Sequence, residues 1–466
     1  MNFAIIAVAM TQADRSISGF NYWLFESGFI MVKRMKFRCA LRAAWFIAGC
    51  YCLGSEHTHA SDQIPGARQE KTIAIVNATL HTVSGKTISA GTIILREGKI
   101  AELGSEVAVP EDVTAIDAEG GHVYPGIIDP QSKIGLVEVE SVRATLDSNE
   151  TGAINPNVRA AAAFNPDSEL IPVARANGVL LGVSAPEGSL IAGRSALMML
   201  DGWTWEDMTL KADVGMQITW PRATVSRSES GQGGTDAELA LLEKVFDQAE
   251  RYRSAAQSST PPKFDARLSA LIPVLERKIP LIVTAYRAAQ IRSAVAFAKQ
   301  RNLRLIIYGG YDALDCREIL QAEKVPVIVG GVYRLPARRN LPYDDAYTLP
   351  SRLKEAGIPF CIATAGRFGG STLRNLPYHA ATAAAYGLEP ADALRAITLS
   401  TAEILGVDDR VGSLAPGLDA TLFIADGDIL ETPTQVTHAF IQGRTVDLTS
   451  RHTQLYHKYS TKYEQD

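Results

Sequence analysis

The chain has 466 residues, with 46 lysines and arginines against 51 aspartates and glutamates, and 46% of it is apolar. The near balance of charge gives no basic excess of the kind nucleic acid selects, and the apolar share is ample for a large core. Such a length suits two or three domains, or one large barrel with a small satellite, since a barrel alone often exceeds about 250 residues.

Residues 1–60 read as a leader. Lys36, Arg38 and Arg42 precede a short apolar run, 43–50, and then Ser, His, Thr and Ala, the order of an export signal. Cleavage after Ala60 is favoured over a lipoprotein-type processing that makes Cys50 a lipidated first residue. A signal's charged region lies at the true start, so residues 1–34 reflect an upstream start choice. The apolar run falls short of the ~20 residues a membrane span needs, so an anchor ranks last. The expected location is therefore periplasmic or secreted. Cys39, Cys50 and Cys52 belong to the leader, leaving Cys316 and Cys361 in the body. These two could form one disulfide, but two buried unpaired thiols are favoured.

From 71 to 120, short β-branched runs (72–76, 92–95, 99–103) alternate with glycine-bearing turns, and the tail repeats this style at 421–424 and 438–441. Neither half has enough strands to bury two faces alone. Residues 71–125 and 407–447 are therefore expected to join as one composite β-sandwich, followed by a C-terminal tail, 448–466. Between them, 126–406 alternates apolar runs (179–183, 281–283, 305–308, 325–329, 360–363) with helical patterns. That alternation predicts right-handed parallel crossovers and a closed barrel. A polar stretch, 226–234, reads as a solvated loop or an active-site lid. It precedes a helix expected from about Asp236 to Arg253, with capping-box spacing at Thr235–Glu238.

The stretch 122–136 reads as a turn and an apolar strand whose far end is polar, the way a parallel barrel presents chemistry at its C-terminal face. The run Val123-Tyr124-Pro125-Gly126-Ile127-Ile128-Asp129, together with 393–406 and the Arg410 to Ala420 stretch, resembles the amidohydrolase superfamily, particularly its imidazolonepropionase-like branch. The likeness covers about 73–446. It implies an α/β fold: a TIM-type (β/α)8 barrel with a small β-sandwich built from both chain ends. It also implies a hydrolase of C–N bonds other than peptide bonds, of cyclic amide type.

Metal-bearing members of that family hold their ion with four histidines and an aspartate. Placed residue by residue, the strand-one histidines fall on Gln131 and Lys133, the strand-five histidine on Thr284, the strand-six histidine on or next to Gly309 and the strand-eight aspartate on Ala365. All five positions have changed. Moreover, no histidine occurs between His122 and His379, so the barrel body lacks the imidazoles zinc or iron would use. His122 and His379 themselves read as surface or structural. Asp129 and Asp312 are too few for a carboxylate site for a hard cation. No cofactor is expected.

Lys133 is the sharpest residue. It could replace lost positive charge or act as a base or amine nucleophile, but an ion pair with Asp129 or Asp312 is favoured. Tyr286, Arg287, Tyr308, Tyr311, Thr364 and Arg367 are expected to rim the same mouth, where guanidinium and phenol groups suit a carboxylate or amide ligand or a packed polar plug. No Ser/His pair, paired strand-end carboxylates or P-loop pattern can be placed in the barrel. Three functions follow as expectations: a degenerate, metal-free homologue that binds a small polar ligand or partners an active relative; a metal-independent enzyme centred on Lys133; or a structural, assembly-forming protein. A homo-oligomer stays open.

Overall fold

The computed structural model describes residues 63–222, 234–364 and 369–465. The leader, the 226–233 part of the polar loop, Ala365 and Arg367 lie outside the described residues, as do the side chains behind the capping-box reading at Thr235.

Strands from the two ends of the chain share one sheet. They are β1 (Ile73–Leu80), β2 (Ile88–Arg96), β3 (Lys99–Gly104), β4 (Thr114–Asp117) and β5 (His122–Pro125), followed much later by β14 (Leu422–Ala425), β15 (Val436–Ile441) and β16 (Arg444–Thr445). The order is β16-β15-β14-β5-β1-β2-β3, with β4 beside β1. The junction is the antiparallel β14–β5 pair, Leu422 opposite Pro125 through Ala425 opposite His122. All four β14 residues are buried, and strand alternation explains how. Phe423 and Ala425 join the core shared with the barrel, while Leu422 and Ile424 pack into a second core with Ile75, Leu80, Leu95 and Phe440.

The barrel sheet contains β6 (Ile127–Ser132), β7 (Val179–Ser184), β8 (Ile191–Met199), β9 (Thr209–Thr219), β10 (Leu281–Ala285), β11 (Leu305–Gly309), β12 (Val327–Gly330) and β13 (Phe360–Ala363), paired in chain order. A helix α1 (Leu170–Arg175) lies between β6 and β7. From β9 onward the strands are parallel, with α2 (Gly234–Ala256), α3 (Ala266–Leu275), α4 (Ala288–Gln300), α5 (Arg317–Ala322) and α6 (Asp345–Glu355) in the crossovers. Then come α7 (Leu376–Ala385), α8 (Pro390–Ala396), α9 (Leu399–Leu405) and the terminal α10 (Arg451–Glu464).

One strand corrects the expectation of uniform parallel crossovers. β8 runs antiparallel to both β7 and β9. The β7–β8 connection is only 185–190, whereas a parallel crossover needs about a dozen residues or more, so the chain must turn straight back.

Alternation along the strands separates two apolar layers. Leu281, Val283, Leu305, Ile307, Val327 and Val329 face the helices, and Ile282, Ile306, Ile328, Cys361 and Ala363 fill the barrel interior with Tyr308 and Ile404. Full burial of each Ile or Val is worth roughly 1.5–3 kcal/mol, so the larger helix-facing layer carries most of the barrel's cohesion and the interior plug adds to it. Cys316 and Cys361 are both buried and unpaired, one in the outer layer and one in the plug. Among the described residues no helix is long and apolar enough to cross a membrane.

Candidate functional site

The barrel sheet does not close by backbone pairing among the described residues: β13 lies beside β6 at the open seam. A side chain bridges it. Asp129, fully buried on β6, accepts from the Thr364 amide (3.0 Å) and the Thr364 hydroxyl (2.6 Å) on one oxygen. Its other oxygen accepts from the Gln131 amide at 2.9 Å. Burial pushes the Asp129 carboxyl up to about 6, against the pull of those three bonds, which favour the charged form. The aspartate that signals the family in the sequence is thus a clasp.

Two residues on, Gln131 and Gln217 of β9 exchange side-chain hydrogen bonds across the interior, at 3.2 and 3.1 Å, and Gln217 also donates to Ser195 on β8 at 3.1 Å. Lys133 lies just past the end of β6 and pairs with Glu187 at 2.6 Å. This corrects the expected pairing with Asp129 or Asp312. The carboxylate of Asp129 is consumed at the seam, and beyond the strand Lys133 reaches the turn that follows β7. Asp312 is claimed elsewhere, by Arg338 at 3.2 Å and Arg287 at 3.7 Å, and it accepts from the Ala288 amide at 3.3 Å.

Thr284 and Tyr308 are register partners on β10 and β11. The Tyr308 phenol is held well above its ordinary range by burial first, then by Tyr286, Tyr311, Asp129 and Glu187, so these groups converge at the mouth. Burial also raises Tyr286, and pushes Tyr311 up to about 12. The three phenols are therefore neutral O–H donors at ordinary pH. The Tyr286 and Tyr311 rings are 4.9 Å apart and tilted, and Tyr311 donates to the Gly330 carbonyl at 3.2 Å.

The 331–343 segment after β12 straps this cluster. Arg334 lies 4.0 Å over the Tyr311 ring, and Arg287 donates to the Ala337 carbonyl at 3.3 Å. Among the described residues two buried donors there have no acceptor, Nε and Nη1 of Arg334, whose third nitrogen pairs with Asp345 at 3.4 Å; Nη1 of Arg287 makes no hydrogen bond beyond its 3.7 Å pair with Asp312. Such groups normally find partners, since each orphan costs roughly 1–3 kcal/mol.

The mouth does not fit a catalytic dication. Gln131, Lys133, Thr284 and Gly309 offer an amide, an ammonium, a hydroxyl and no side chain at all, where the resemblance would have imidazoles. Space is also lost: a Cβ on Gly309, which has φ +98°, would meet Tyr286 Cδ1 at 2.6 Å. Among the described residues no three His, Cys, Asp or Glu side chains are grouped to hold a metal. His379 is buried on α7, where its Nδ1 accepts from the Val332 amide at 3.1 Å; burial lowers it to about 4, which keeps it neutral.

The structure thus brings together Gln131, Tyr286, Tyr308, Tyr311 and Asp129, with Thr284 in register and Thr364 on the clasp. It sends Lys133 to Glu187, and Arg287 and Asp312 to the strap. Sequence reasoning missed Gln217, Glu187 as a partner, Arg334 and Arg338. The one signal for Glu187 was its place in 185–193, which resembles the family's turn after an early barrel strand; Arg334 had none.

The Amidohydrolase family profile matches residues 316–446. A solved amidohydrolase from Thermotoga maritima superposes with a TM-score of 0.73 at 25% identity, covering 80% of this chain and 99% of that one. The chain carries an amidohydrolase family domain and shares the fold of a solved amidohydrolase. Among curated relatives of this amidohydrolase-type chain, amidohydrolase tasK of Hapsidospora irregularis is 23% identical over 397 residues, 76% of this chain but only 39% of that protein. Imidazolonepropionase of Shewanella frigidimarina is 21% identical over 409 residues, 76% of this chain and 89% of that one.

Proposed function

We propose that this chain descends from hydrolases of C–N bonds other than peptide bonds, and has exchanged the metal centre for a donor-lined mouth that binds a small carboxylate or cyclic amide. The observation that carries the reading is the surplus of donors. The neutral phenols of Tyr286 and Tyr308 and the unpartnered Nε and Nη1 of Arg334 gather where a dication would be repelled and an anion or carbonyl oxygen welcomed. Without an ion to lower the pKa of water towards about 7, the family's hydrolytic step has no nucleophile here. Lys133 does not take over as an amine nucleophile while it is paired with Glu187. The leader-like 35–60 stretch supports action outside the cytoplasm.

The test is paired. The purified chain, stripped and reloaded with zinc, is assayed for metal content and for hydrolysis of cyclic amides; stoichiometric zinc with chelator-sensitive turnover would sink the reading. Calorimetric titration with succinate and succinimide should show saturable binding that Arg334→Met weakens by about tenfold or more. Equal affinity of the variant would remove the mouth as the binding site. Lys133→Met should retain most of that binding.

A further inference from the structure

We propose that the opposite, N-terminal end of the barrel carries a second binding site, for a phosphorylated small molecule of nucleotide size. A cavity of about 800 Å³ opens there beneath β10 to β13, within the range of small-molecule sites. Its inner wall is apolar: Ile306 and Ile404, which belong to the interior plug, together with Phe360. That plug separates it from the polar mouth.

The rim is basic although the chain as a whole carries a net charge of -5. Three carboxylates line the cavity, and each is already paired: Glu323 with Lys299 at 2.5 Å, Asp392 with Lys354 at 2.5 Å and Glu403 with Arg395 at 2.8 Å. Arg277, Arg304 and Lys324 remain on the rim without a carboxylate partner among the described residues. Arg277 is occupied by the Asn302 carbonyl and side chain; Arg304 and Lys324 are not. Arg304 also stands near another cation, Lys211, whose ammonium donates to the Leu405 and Gly406 carbonyls and is lowered by burial and then by Arg304. Asp408 and Asp409 act on Lys211 in the opposite sense. Those two acids offset the repulsion at Lys211, whereas on the cavity rim itself no carboxylate pairs with Arg304 or Lys324 among the described residues.

The turns entering β10, β11 and β12 each place a non-glycine residue in the left-handed region, Arg277 at φ +59°, Asn302 at +52° and Lys324 at +51°. The turn entering β13 uses Gly357 at +65°, the residue that adopts this conformation without a steric penalty. A lysine there is held at a modest steric cost, with its side chain on the cavity rim. Surplus cations around an apolar wall select a ligand with phosphate groups and a flat, weakly polar body.

The probes are ADP and inorganic pyrophosphate, titrated calorimetrically into the full chain at low salt. ADP should bind saturably, about tenfold or more tighter than pyrophosphate because of the apolar wall, and more weakly as salt rises. Arg304→Ala should weaken ADP by about tenfold. Lys324→Gly is the sharper variant, because it relieves the backbone: it should raise or preserve the melting temperature while weakening ADP by about fivefold. No saturable ADP binding up to millimolar concentration, equal affinity for pyrophosphate, or affinities unmoved by both substitutions would each overturn the proposal. None of these outcomes bears on the mouth, where succinate and Arg334 provide the test.

Discussion

The two ends of the barrel solve the problem of charge in opposite ways. At the C-terminal end charges are drawn inward and tied: Asp129 across the seam, Asp312 under two arginines, Lys133 onto Glu187. At the N-terminal end cations stand on an open rim and outnumber their partners. In barrels of this kind the first end carries chemistry and the second stability. Here the end expected to be chemically open has been packed with aromatic rings, and the end expected to be inert has kept an open basic cavity. The packing at this end is close: the Tyr286 ring occupies the room above Gly309.

Substitutions can break that contrast, starting with the most severe. Gly309→His, which restores a family ligand by name, should destabilise the fold by about 3 kcal/mol or more, because it combines a positive φ with overpacking against Tyr286. The urea midpoint reads this; a variant as stable as the parent would mean the mouth has room for a metal centre after all. Next, Thr364→Val removes the hydroxyl that donates to Asp129 and should cost about 1.5–3 kcal/mol at pH 8.

That cost should shrink at pH 5, for a reason of sign. Burial raises the folded Asp129 from 3.8 to about 6, so the folded protein takes up a proton as pH falls through about 6 while the unfolded chain does so only nearer 3.8. The protonated form is the stabilising one, fully present below 3.8 and lost as pH rises through about 6. A hydrogen bond to the charged form matters most where that form prevails, so denaturation of the variant and parent at the two pH values checks the ionisation directly. A constant difference would show that Asp129 does not titrate in this window. The smallest effect belongs to Arg334→Met, where removal of two buried unpartnered donors offsets the loss of a 3.4 Å pair with Asp345 and of the contact over the Tyr311 ring. Its stability should lie within about 1 kcal/mol of the parent, or above it, even as ligand affinity falls.

Much of this was legible in the sequence, for physical reasons. Apolar runs of strand length, alternating with helical patterns, located β6, β7 and β10 to β13, and the family resemblance placed Gln131 and Thr284 at strand ends, with Tyr308 expected at the same mouth. β8 escaped because its apolar run is as consistent with a parallel strand as with a hairpin; only the short 185–190 connection distinguishes them. The Lys133 pairing escaped because strand periodicity ends at Ser132, one residue before it. Gln217 and Arg334 have no local pattern, since each is defined by a partner far away in the chain.

The clasp at the seam has a consequence for motion. A closed barrel distributes its cohesion evenly around the ring, whereas a ring whose last joint is one carboxylate and one threonine has a preferred place to part. Amide hydrogens of β6 and β13 facing that joint should exchange with solvent ahead of those on β10 and β11, and parting there would uncover Asp129, the most deeply placed acid near the mouth. The strand that announces the family is also the hinge-pin of its loosest joint.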